Sequence, residues 1–230
     1  HFGLIKLKSI RAIFNIELEG SLANWVSSLV YLSVGLSLWG ITWCVSRELR
    51  WSFRTLSWGF LATVFTYLAA DDGAEIHEAV GTALKEYTTQ SDWEPRYSFV
   101  HWVVDVFPSY YWQAVFTPIF VLVGLFMVYH LYREFGEKWL LLLVFLGFGC
   151  FVFAQGLDYL EGAKYSFRPL RSMFDLDRNT VRHFQKALEE FLEMFGMTLL
   201  LYAFLRHLSS LMEGAQLSFH AQTKSRKDES

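Results

Sequence analysis

Five stretches of this chain are apolar for about the length a helix needs to cross a bilayer, and polar segments separate them. A hydrocarbon core about 30 Å thick takes roughly 20 apolar residues to span. Apolar runs of that length, alternating with short polar segments, make the expected fold class all-α. The expected architecture is a polytopic membrane helical bundle with about five transmembrane helices. The spans run from about Leu22 to Ser46, from near Leu56 into Ala70–Glu78, and then over about Tyr111–Tyr132, Trp139–Leu160 and Phe184–Leu205.

The chain divides accordingly into an N-terminal segment (1–20), the bundle (21–208) and a polar C-terminal tail (209–230). In the first segment Leu4, Ile5, Leu7, Ile10, Ile13 and Phe14 alternate with Lys6, Lys8 and Arg11. That spacing suits an amphipathic helix at the membrane surface, or equally a linker helix before the first span. The stretch from Gln222 to Ser230 is polar and reads as unstructured. Between the second and third spans, about Lys85 to Tyr110, lie Pro95, Pro108 and an apolar, helix-compatible piece, Phe99–Phe107.

Composition agrees with the lipid bilayer as the principal partner. Hydrophobic residues make up 53% and charged residues 19%, against about 25% charged in soluble domains. The net charge of −3, with no basic stripe carrying aromatics, excludes nucleic-acid binding. Cys44 and Cys150 both lie in apolar runs and behave as small hydrophobes, not as a disulfide or a CxxC site. No secretory signal pattern opens the chain at His1.

Tyr110, Tyr111, Trp112 and Trp139 stand at span boundaries, where amphipathic rings favour the headgroup level. Arg47, Arg50, Arg54, Arg133, Lys138 and Arg206 gather at one face, which points to a cytoplasmic C-terminus. Lys164, Arg168, Arg171, Arg178 and Arg182 at the other face oppose that orientation.

The acids carry the functional information. Span two ends in Asp71, Asp72, Glu75, His77 and Glu78. His101 and Asp105 precede span three, Gln155, Asp158 and Glu161 end span four, and His183, Glu189, Glu190 and Glu193 open span five. Hairpin connectivity alone brings all of these to one membrane face. At 100° per residue, Asp71, Glu75 and Glu78 form one stripe and leave Asp72 and His77 off it, His77 as a surface histidine. His183, Glu190 and Glu193 form another stripe, and Asp158 with Glu161 a third. His130 and His207, at the opposite face, read as boundary residues.

By helical rise, Glu193 lies roughly 20 Å along its helix from Arg206, deep enough for an unpaired ionised carboxylate to cost a few kcal/mol. The acids then share protons, are met by Lys186, Arg182 or Arg178, or hold a metal. The metal-ligand set would be Glu190, Glu193, His183, Glu75, Asp71, Glu78, Asp158 and Glu161. Facing helices that project carboxylates at i, i+3 hold iron or manganese dimetal centres in soluble bundles. An oxygen-rich set favours those metals or another hard cation. The Glu-x-x-His spacing of such bundles is not present here. Glu75, Glu78, Asp105, Asp158 and Glu161 also fit an ordinary role as solvated interfacial charges.

No phosphate loop, HExxH motif or GxSxG elbow occurs. Three functions stay open: a metal-binding membrane protein, which would extend to an enzyme acting on a lipid-like substrate; a proton- or cation-handling transporter or channel; and a non-catalytic subunit of a larger membrane complex. The last would use the 22 Phe, 11 Tyr and 9 Trp to cover other membrane subunits.

Overall fold

The computed structural model describes residues 21–48, 50–90, 111–162 and 173–228, with Ile13 alone before them. The N-terminal amphipathic segment, the Phe99–Phe107 piece, His101 and Asp105 lie outside the described residues. So do the side chains of Asp158 and Glu161, although their backbone is helical.

Among the described residues there are six helices and no strand: α1 (Leu22–Glu48), α2 (Phe53–Ala74), α3 (Ile76–Gln90), α4 (Tyr111–Glu134), α5 (Trp139–Gly162) and α6 (Arg178–Asp228). The all-α reading therefore holds. Three of them are long and apolar enough to cross a membrane, over Leu22–Arg47, Val115–Glu134 and Trp139–Leu157. α2 and α6 carry more charge and are not among those three. α6 runs on to Asp228, through the stretch expected to be unstructured. That stretch contains no proline and has several good helix formers (Gln222, Lys224, Arg226, Lys227), so no helix breaker stops it there.

Local signals set the helix ends. Ser52 caps α2 by accepting the Thr55 N–H at 3.1 Å, and Ser21 accepts the Asn24 N–H at the start of α1. Asp177 does the same for Thr180 ahead of α6. α2 ends in a different way: Glu75 takes the left-handed conformation, φ 53° and ψ 38°, and its N–H bonds to the Asp71 carbonyl at 2.7 Å.

The core lies between α1, α2, α5 and α6, with Met127 and Leu131 entering it from α4. α1 packs most extensively on α2 and also along α6, while α5 packs on α6. Tyr31, Val34, Leu38, Ile41 and Val45 step by three and four along α1 and are all buried. Trp58, Leu61, Ala62 and Phe65 answer from α2, and Met197, Leu200, Ala203 and Phe204 from α6. This is the seam of packed helices with a 3.5-residue repeat. Close approach depends on small residues. A Cβ on Gly196 would stand 2.9 Å from the Gly147 carbonyl oxygen, and one on Gly35 3.2 Å from the Thr66 nitrogen. Lipid does not drive helices together hydrophobically, so such backbone contact supplies much of the packing. Outside this core, Leu122, Leu125, Leu142, Val152 and Phe153 are exposed, as lipid-facing positions should be.

Candidate functional site

At the acidic end, the break at Glu75 decides the geometry. The helix that continues past it, α3, is rotated relative to α2, so the expected Asp71–Glu75–Glu78 stripe does not form. Instead His77 swings over the end of α2. Its backbone N–H donates to Asp71 Oδ1 at 2.9 Å, and its ring Nδ1 lies 2.9 Å from Asp71 Oδ2. Asp71 is buried, and its carboxylate caps α3 while orienting the imidazole. The Trp112 ring meets His77 edge-on with centroids 4.7 Å apart. Burial alone would pull the His77 imidazole down. The Asp71 hydrogen bond and charge, with Glu78 and Asp72, outweigh it and hold the pKa above the ordinary histidine value. Sequence periodicity places His77 off the stripe, and it is the residue that pairs most closely with Asp71.

Asp72 turns inward toward α1. Ser28 Oγ donates to Asp72 Oδ2 at 2.6 Å, and Ser27 Oγ stands 3.5 Å from Oδ1. One turn deeper on α1, the buried Tyr31 is within electrostatic reach of Asp71, Asp72, Glu190 and Glu193. Those last two come from α6, so the acids of separate helices face a common interior. On α6, Lys186 Nζ donates to Glu189 Oε1 at 2.8 Å and faces Glu190 and Glu193 as well. A lysine reaching into the acids was one of three expected means of neutralising them. Glu189, buried, is the acid whose importance sequence spacing did not rank. Gln185, also buried, ties α6 to α5 through the Leu157 carbonyl at 2.7 Å.

The remaining expected residues are more peripheral. His183 and Glu78 are exposed, and Glu75 is half-buried at its cap position. Among the described residues, no three His, Cys, Asp or Glu side chains stand close enough to hold a metal ion. Asp158 and Glu161, which belong to the expected set, are outside that statement. The observed pattern is a row of separately partnered acids: Asp71 on His77, Asp72 on the serines, Glu189 on lysine, and Glu190 with Glu193 beside them.

The opposite end holds a second polar cluster. Arg54 Nε donates to Glu134 Oε2 at 2.6 Å, and the Trp58 indole N–H approaches the same oxygen at 3.3 Å. His207 stacks on Trp58 with centroids 5.3 Å apart, and His130 meets it edge-on at 4.8 Å. Both imidazoles are buried, and the Nε2 atom of each has no hydrogen-bond partner among the described residues. Burial pushes His207, two residues past the expected end of its span, down to about 4 despite the pull of Glu134. Expected at the span boundary, these histidines are buried between helices and not exposed there. His207 continues the buried row Met197–Leu200–Phe204, and that spacing was the signal available. A cavity of about 200 Å³ adjoins it, lined by Arg54, Glu134, Leu140, His207 and Ser210.

Fold and site together define a class: an α-helical membrane bundle with titratable groups gathered inside one end. Residues 3–208 match the family described as Domain of unknown function (DUF8692), and the chain belongs to it. No curated protein and no solved structure matches the chain.

Proposed function

We propose that this is an integral membrane protein that takes up and passes cations, with protons first among them, through the acidic cluster between α1, α2 and α6. One observation carries the reading. Asp72, Glu190 and Glu193 are near enough to act on one another electrostatically, and among the described residues Lys186 approaches them. Carboxylates gathered in a low-dielectric bundle share protons or take up an exchangeable counter-ion. Tyr31, Ser27, Ser28 and Asp72 supply exchangeable protons and acceptors in sequence along α1 and α2. The Asp71–His77 pair, with Asp71 buried and the imidazole partly open to the outside, forms the entry to that row.

On this reading the chain crosses the membrane five times, with α2 and the first part of α6 as the two charged spans. Its C-terminus lies in the cytoplasm with the Arg54 and Arg206 end. A hard metal ion, iron or manganese, is the competing occupant, and its ligands would come from Glu190 and Glu193 with the acids of α5. Catalysis on a lipid-like substrate and service as a subunit of a larger complex gain no specific support from the described residues.

The test is reconstitution in liposomes with a lumenal pH indicator. An imposed gradient should discharge through the native protein and much more slowly through Glu193→Gln and Glu190→Gln. Metal analysis of the same sample separates the two occupants. Stoichiometric iron or manganese, lost in those variants, with no proton flux would replace the proton reading by the metal one. Neither flux nor metal would sink both.

A further inference from the structure

α3 has three faces, and only two of them are accounted for by the fold. At 100° per residue, His77, Gly81 and Leu84 share the first. That face packs on α4: Gly81 is buried, a Cβ on it would meet the Trp112 backbone nitrogen at 2.9 Å, and His77 contacts the Trp112 ring. The second face carries Glu78, Thr82, Lys85 and Glu86, all exposed, as a water-facing side should. The third carries Ile76, Ala79, Val80 and Ala83, at i, i+3, i+4 and i+7. It too is exposed, with Ile76 and Val80 more than a third accessible.

We propose that the Ile76–Val80–Ala83 face of α3 is embedded in the headgroup–acyl boundary of the bilayer, and that its partner is an uncharged or zwitterionic lipid surface. Continuity with the spans argues for lipid. α3 starts one residue after α2 ends, and it covers Trp112 at the start of α4. One and two turns further along that side of α4, Val115 and Ile119 are exposed on a span apolar enough to face lipid. The apolar face of α3 thus extends a lipid-facing surface that α4 already presents.

The composition of the face agrees with a lipid surface. Its described side chains are the short aliphatic groups of Ile76, Ala79, Val80 and Ala83, and Tyr87, next in the same register, is a residue type that favours the headgroup level. Headgroup choice follows from the polar side. Glu78 and Glu86 outnumber Lys85, so anionic lipid gains no attraction, unlike the usual basic surface helix. An embedded α3 also holds His77 at headgroup depth, beside Asp71.

The test uses the full chain in phosphatidylcholine nanodiscs, with Cys44 and Cys150 replaced by alanine and one nitroxide label at a time. Labels at Val80→Cys and Ala83→Cys should collide with oxygen several-fold more than with a water-soluble nickel chelate. The order should reverse at Thr82→Cys, and adding phosphatidylserine should leave all three unchanged. A Val80 label as open to nickel as the Thr82 label would overturn the proposal. So would labels at Val80 and Ala83 shielded from both reagents with spin–spin broadening, which would assign the face to a second copy.

Discussion

Two histidines show how burial and a partner set opposite electrostatics in one chain. His77 gains Asp71, and its pKa lies above the ordinary value. A base whose folded pKa is raised contributes stability that is complete below its unfolded pKa, about 6.5, and lost as pH rises through the folded value. Asp71→Asn should remove that advantage and bring the His77 ring resonance down to titrate at lower pH, as NMR of ring-labelled protein would read. An unchanged titration would mean that the pair does not form. His207 is the reverse case, held down to about 4 by burial. Its stabilisation is present above the unfolded pKa and declines as pH falls from about 6.5 toward 4. Thermal unfolding in detergent should therefore show a smaller acid loss in His207→Phe, which fills the same aromatic place beside Trp58 without binding a proton.

At the scale of elements, backbone contact and helix breaks explain both what sequence revealed and what it hid. Gly196 and Gly147 meet backbone to backbone, so a methyl has no flexible neighbour to displace. Gly196→Ala should cost about 1–3 kcal/mol, as overpacking does, in denaturant unfolding in micelles. Gly149, with open space around its Cβ position, should accept alanine freely. The three apolar spans were legible because their length and apolar character are set by the bilayer. Asp71, Glu190 and Glu193 were legible as acids where apolar runs make them costly, whereas Asp72, off the expected stripe, was not. The Asp71–His77 pair was not, because a stripe drawn at 100° per residue assumes an unbroken helix. Glu75 gives no composition cue for its left-handed turn, since glycine is the usual residue there. Nor does a single strand of sequence reveal that His130 and His207, 77 positions apart, close around Trp58 from two other helices.

For the molecule as a whole, polarity is segregated along the bundle. The basic end is knit by Arg54–Glu134 and Arg206–Glu137 pairs. An aromatic and aliphatic seam fills the middle, and the acidic end brings titratable groups of three helices together. On the proposed reading, carboxylates from α2 and α6 act on one another inside the bundle. The most direct test is a double-mutant cycle of Asp72→Asn and Glu193→Gln, measured by unfolding in bicelles at alkaline pH, where carboxylates are charged. If the two acids share an interior, each substitution relieves the other, and the double variant should depart from additivity by about 0.5 kcal/mol or more. Effects that add within about 0.3 kcal/mol would place the two acids in separate surroundings and remove the basis for a common site.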